Sequence, residues 1–178
     1  LGLIEKFEAG FVFGAQQINP DIEIVVQYLT EFPDFAGFTD PAKGQEAGLA
    51  MYEGGAVVVY LAAGGSGAGL FEAAKETSAA SGSQVWAIGV DSDQYQTAGD
   101  ELAPYILTSM LKRVDNAVYN TIEAYLASGT QSGVVVFDLS VDGVGYSTSG
   151  GFVDDIVGEL EDLKAKIGSG ELVVPTEP

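Results

Sequence analysis

Ala56-Val-Val-Val-Tyr-Leu-Ala-Ala-Gly-Gly-Ser-Gly-Ala-Gly-Leu-Phe71 is a β-branched, apolar run that breaks on a bare glycine turn and resumes as a helix. Val85-Trp-Ala-Ile-Gly-Val-Asp-Ser-Asp93 repeats the design, with an apolar run that ends in two carboxylates. Runs without polar alternation suit strands buried on both faces, the mark of a parallel sheet covered by helices. In open sheets of that kind, ligands bind beyond the carboxyl ends of the strands. The two runs predict a cleft rimmed by a glycine turn and by Asp91 and Asp93, suited to gripping a small, hydroxyl-rich molecule.

On either side, helical and strand patterns alternate. Phe7, Phe11, Ala15 and Ile18 form a helical stripe within residues 4–18, which Asn19-Pro20 stops. Residues 22–29 are β-branched and predict a strand. Asp40 and Pro41 predict the capped start of a helix that runs to Gly54-Gly55. Further strands are expected at 56–61 and 85–90, with a helix at about 69–78 between them. Residues 106–110 form a short apolar segment, followed by a helix over 112–126. A hairpin turned by Asp142-Gly143 would join 134–139 to 144–146, and an amphipathic helix would fill 152–167. Helices alternating with buried strands indicate an α/β fold with a mostly parallel sheet. No internal repeat or low-complexity tract interrupts it.

Charge sets the outer limits on function. With 26 acidic residues against 7 basic, the chain carries a net charge of -19, which repels nucleic acid and anionic lipid. Its 178 residues, 47% of them hydrophobic, are enough to bury a core. The chain has no cysteine and no histidine, which removes thiolate chemistry, zinc-thiolate sites and any Ser-His pair. No apolar run approaches the roughly 20 residues that span a bilayer. No cofactor or metal site is expected, and the residues predict a binding protein rather than an enzyme.

Each candidate residue has a plain alternative. Gly64-Gly-Ser-Gly-Ala-Gly69 fails the dinucleotide fingerprint at Leu70, lacks the lysine of a phosphate loop, and fails the nucleophile-elbow pattern at Ala68. What remains is a turn that admits a ligand to the backbone, or one that is merely structural. Asp91 could accept two neighbouring hydroxyls, as a ribose presents them, or serve as a turn aspartate. Phe32, Phe35 and Phe38 share one loop, as a satellite core or with one ring as a stacking platform. Lys112 and Arg113 could balance the acidic surface. A lysine at a helix start is poorly placed for the dipole, which favours a hydrogen bond to a ligand or to Asp91.

Taken together, these motifs resemble a known family. Phe7-Glu-Ala-Gly-Phe-Val-Phe-Gly-Ala, Asn19-Pro-Asp-Ile-Glu, Phe38-Thr-Asp-Pro-Ala-Lys-Gly, Gly64 to Lys75, Ala87-Ile-Gly-Val-Asp-Ser-Asp-Gln and Leu107 to Tyr119 are similar, in order, to the basic membrane protein family. These are PnrA-like substrate-binding lipoproteins of ABC transporters. The resemblance implies a type I periplasmic-binding fold whose two lobes close on a purine nucleoside; the alternatives are a sugar-binding or ligand-sensing protein of the same fold, or a hydrolase acting on a nucleoside. It implies that Phe38 stacks on the base, Gly65 offers its backbone, Asp91 takes ribose hydroxyls and Lys112 donates a hydrogen bond. It further implies an ABC transporter permease as partner and an extracytoplasmic, lipid-anchored location. On this resemblance residues 1–105 form most of the second lobe, 106–129 correspond to the crossover to the first, and 130–178 hold return strands, a final helix and a tail. The first lobe is expected to lie outside these residues.

Overall fold

The computed structural model describes residues 2–130 and 132–178. Its centre is a four-stranded sheet of β1 (Val58–Tyr60), β2 (Trp86–Gly89), β3 (Ile106–Lys112) and β4 (Val144–Tyr146), in that spatial order. β1, β2 and β3 run parallel, with Val59 opposite Ala87 and Gly89 opposite Ser109. β4 is antiparallel to β3, pairing Met110 with Tyr146. The expected mixed, mostly parallel α/β sheet is therefore present.

Among the described residues six α-helices accompany the strands: α1 (Gly2–Ile18), α2 (Pro41–Glu53), α3 (Gly67–Ser81), the short α4 (Gln94–Thr97), α5 (Val114–Ser128) and α6 (Val157–Ser169). α2 begins where its sequence says it should. Pro41 occupies the first turn and the Asp40 carboxylate accepts the Lys43 amide at 3.0 Å, satisfying a donor that the helix leaves open. α3 ends on Gly82 at φ 69°, a left-handed cap.

Alternation along β1 divides the helices between the two faces of the sheet. Val59 joins Leu70, Phe71 and Ala74 of α3 and Tyr52 of α2 in the core. Tyr60, pointing the other way, stacks on Phe11 of α1 at 5.3 Å between ring centroids. So α2 and α3 cover one face and α1 lies on the other. On the first face α2 and α3 approach closely because glycines line the contact. A Cβ at Gly69 would fall on the Pro41 carbonyl.

Three sequence expectations need correction. Residues 22–29 form no strand and join no ladder; their β-branched character is real, yet among the described residues no strand pairs with them to complete the hydrogen bonds. Residues 134–139 form no strand either, and β4 pairs with β3 instead of making a hairpin. Asp142 lies in the left-handed region at φ 51°, but Gly143 turns back onto Asp138 through a main-chain bond of 2.8 Å. Lys112 does not start a helix: it is the last residue of β3, and α5 begins two residues later. Residues 106–112 form this strand within the sheet. α5 then carries Val118, Ile122 and Leu126 on an exposed face. Among the described residues no helix is long and apolar enough to cross a membrane.

Candidate functional site

Because β1, β2 and β3 are parallel, their carboxyl ends meet at one edge of the sheet, and the chain there is neither helix nor strand. The turn Gly64–Ser66 follows β1, Asp91 follows β2, and Lys112 closes β3. The loop carrying Phe38 packs against the first of these.

Phe38 ends a single tight turn, Ala36–Phe38. It is half-buried, and its ring lies beside the glycine turn: a Cβ on Gly64 would sit 3.8 Å from the Phe38 Cδ1. The Phe38 carbonyl lies 3.3 Å from the corresponding point on Gly65. Gly64 has φ 53°, where a side chain is disfavoured. Ser66 holds the two loops together. Its fully buried hydroxyl donates to the Gly37 carbonyl at 2.6 Å and accepts from the Asp40 amide at 2.9 Å. Phe32 and Phe35 pack edge to face at 6.0 Å and stay largely exposed, so the three phenylalanines form no common cluster.

Asp91 is one of two non-glycine residues with positive φ among those described, at 70°. Aspartate tolerates this region better than most residues. The turn it makes sends its carbonyl to the Lys112 amide at 2.9 Å and its Oδ1 to the Lys112 Nζ at 2.6 Å. Both side chains are close to half exposed, so the pair is screened and serves to orient the groups more than to stabilise the fold. Asp91 Oδ2 has no partner among the described residues and can accept a hydroxyl, while the ammonium keeps further protons to donate.

The four sequence-derived residues thus form two touching pairs, Phe38 with Gly65 and Asp91 with Lys112, on one edge. Tyr60 links them. Burial first, and then the Asp91 charge, push its phenol well above the ordinary tyrosine value. It also lines, with Phe38, a cavity of about 560 Å³. Gly65, Asp91 and Lys112 do not line that cavity, which runs away from them between β1 and residues 22–29.

Asp93 behaves differently from Asp91. It precedes α4 without capping it; instead its Oδ2 accepts from Gln96 Nε2 at 2.9 Å and from the Ser149 hydroxyl. This ties the end of β2 to the loop after β4. Its Oδ1 is buried with no partner. Ser66, which the sequence offers only as a failed elbow nucleophile, pins the Phe38 loop, and Tyr60 ends β1 beside it. The signals were present: one hydroxyl inside a glycine run, and one polar-tipped ring at the end of an apolar run. Among the described residues, no cluster of three or more acidic side chains could hold a metal ion.

Comparison with known proteins agrees with this architecture. The chain is 36% identical to a CD4+ T-cell-stimulating antigen of Listeria monocytogenes over 99% of its length, which is 50% of that protein. It is 33% identical to the ABC transporter nucleoside-binding protein BmpA of Lactococcus lactis, covering 98% of this chain and 50% of that one. An ABC transporter solute-binding protein from Aeropyrum pernix superposes with a TM-score of 0.74 at 28% identity, over 98% of this chain and 55% of that structure. The chain spans about half the length of the curated relatives it matches. The family described as ABC transporter substrate-binding protein PnrA-like matches residues 1–177, and with parallel strands ending at one shared edge, the chain belongs to that family.

Proposed function

We propose that this chain supplies one wall of an extracytoplasmic solute-binding cleft that captures a purine nucleoside for an ABC transporter. The observation that carries the reading is the Asp91–Lys112 pair of 2.6 Å, set at the carboxyl edge beside the Phe38–Gly65 contact. A ribose offers neighbouring hydroxyls that match a carboxylate with a free oxygen and an ammonium with spare donors. A purine offers a flat face for Phe38, worth on the order of 1–3 kcal/mol when stacked. The relative that is named as nucleoside-binding supports the same ligand class. The ion pair with Lys112 suits Asp91 to hold a hydroxyl rather than to take a proton from one. Ligand binding would draw a second lobe onto this edge about a hinge, and the closed form would dock on a membrane permease.

One wall holds its ligand weakly, because desolvation from both sides is what makes a cleft tight. We expect inosine to bind the isolated chain with a dissociation constant of about 1 mM or weaker, equivalent to no more than about 4 kcal/mol. Amide chemical-shift changes should centre on Phe38, Gly65, Asp91 and Lys112, and D91N should remove most of them. Shifts with a pentose or hexose but none with inosine, adenosine or guanosine would refute the purine assignment. Shifts centred elsewhere would refute the site.

A further inference from the structure

Asp91 is held in a backbone shape that a free chain does not keep. The Ser92 amide donates to the Val90 carbonyl at 2.9 Å, and Asp91 between them has φ 70°. A turn closed this way around a positive φ is the rare, strained form of the γ-turn. Such shapes persist where their surroundings over-determine them. On one side the Asp91 carbonyl is fixed by the Lys112 amide at 2.9 Å. On the other the restraint comes from a side chain: Gln94 Oε1 accepts the amide of Val90, a residue only 5% exposed, at 2.7 Å.

Gln94 is itself built into place. Its own amide donates to the hydroxyl of Ser109 at 3.1 Å, and Ser109 is fully buried on β3. From there a ring of bonds closes. The Ser147 amide donates to the Ser109 carbonyl at 3.0 Å, and the Ser149 amide to the Ser147 hydroxyl at 3.2 Å. The Ser149 hydroxyl then donates to Asp93, the neighbour of Gln94 in the chain. This ring uses only the main chain of Gln94 and leaves its carboxamide to hold Val90. A Cβ on Gly89 would lie 2.5 Å from Gln94 Oε1, so the glycine is what admits the carboxamide beside the end of β2. The corresponding point on Gly67, at the start of α3, lies 3.9 Å from Oε1 and 4.0 Å from Nε2. The carboxamide therefore sits between the Asp91 turn and the helix that leaves the glycine turn.

We propose that Gln94 is the positioning residue of this edge: its side-chain oxygen locks Val90 and so keeps the Asp91 carboxylate, with Lys112, preset for a ligand's hydroxyls, an inference that rests on Asp91 being the carboxylate that takes them. Gln94 acts through Asp91. Without the Oε1 acceptor the buried Val90 amide must find another partner, and the strained turn opens. The binding-competent shape then becomes a minor one, and apparent affinity falls with its population.

The test compares Gln94→Leu, which removes the acceptor at similar volume, with Gln94→Glu, which keeps an oxygen in its place. The first readout needs no ligand. A positive φ brings an amide proton close to its own Hα, so Asp91 should give a strong intraresidue Overhauser effect in the unmodified chain and in Q94E, and lose it in Q94L. The second readout is the inosine-induced shift of the Asp91 and Lys112 amides at one sub-saturating concentration. It should shrink at least about 5-fold in Q94L and return in Q94E. Q96A, which cuts the bonds from the same short helix to Asp93 and Ser149, is the control and should leave both readouts unchanged. Q94M repeats the removal with a flexible side chain, in case Q94L does not fold. An Asp91 Overhauser effect that survives in Q94L, its loss in Q94E as well, an inosine response that Q94L leaves intact, or unfolding of both Q94L and Q94M overturns the proposal. Absence of any inosine shift in the unmodified chain refutes the ligand reading instead, and the Overhauser effect alone then decides the role of Gln94.

Discussion

Replacing Ser66 with alanine removes one oxygen and strands two main-chain groups. The Gly37 carbonyl loses its 2.6 Å donor inside a buried loop, and the half-buried Asp40 amide loses its 2.9 Å acceptor. A net hydrogen bond is worth about 1 kcal/mol, but leaving a buried group unpaired costs about 1–3 kcal/mol. The Asp40 amide can recover part of its loss from water, whereas Gly37 is covered, so about 2–3 kcal/mol is expected in total. Urea unfolding followed by tryptophan fluorescence should show a lower midpoint at unchanged slope. The melting temperature should fall by about 4–12 °C for a chain of this size. Ser169→Ala, which removes two exposed bonds, to the Lys166 carbonyl and from the Glu171 amide, is the control and should stay within about 0.5 kcal/mol. If S66A costs no more than the control, Ser66 does not hold the Phe38 loop on the glycine turn, and the position of Phe38 needs another explanation.

Gly69→Ala should destabilise by about 1–3 kcal/mol or more, because the new methyl would meet the Pro41 backbone and push α2 from α3; chemical denaturation would reveal it, and an unchanged midpoint would refute the contact. Alkaline pH should unfold the chain. Burial raises the Tyr52 and Tyr60 phenols far above 10.0, and Tyr28, bonded to Glu8, and Tyr146, partly desolvated and bonded to Glu161, are pushed up to about 12. A folded value above the unfolded one contributes stability fully below pH 10 and loses it as pH rises toward the folded values. Phenolate absorbance should therefore appear in two phases, the later one coinciding with loss of circular dichroism; a single phase near pH 10 in a still-folded chain would contradict this. The net charge of -19 repels itself, so raising NaCl from about 0.02 M to about 0.5 M should raise the urea midpoint. A midpoint that falls with salt would mean that ion pairs such as Lys75–Glu101 outweigh that repulsion.

Much of the carboxyl edge was legible before any coordinates. Runs such as 56–61 and 85–90 are apolar without alternation because both faces of their strands are covered, and a glycine turn or an aspartate marks where that cover stops. Capping chemistry at Asp40-Pro41 is equally local, and the structure reproduces it. The misplacements have one cause. Whether 22–29 or 134–139 becomes a strand depends on a neighbour in space, and composition records only a willingness to pair. Lys112 ends β3 instead of starting α5 because the boundary is fixed by the Asp91 and Gly143 carbonyls, which bond the Lys112 and Arg113 amides from distant parts of the chain.

The sequence by itself determined the class of fold, the sheet edge at which a ligand can sit and the chemistries that are absent, because these follow from residue types and local periodicity. Only the tertiary structure decided that Asp91, and not Asp93, pairs with Lys112, that Ser66 pins the Phe38 loop, and that a cavity of about 560 Å³ lies beside β1. Those depend on atoms brought within about 3 Å by packing between segments far apart in the chain, and no local pattern encodes such distances.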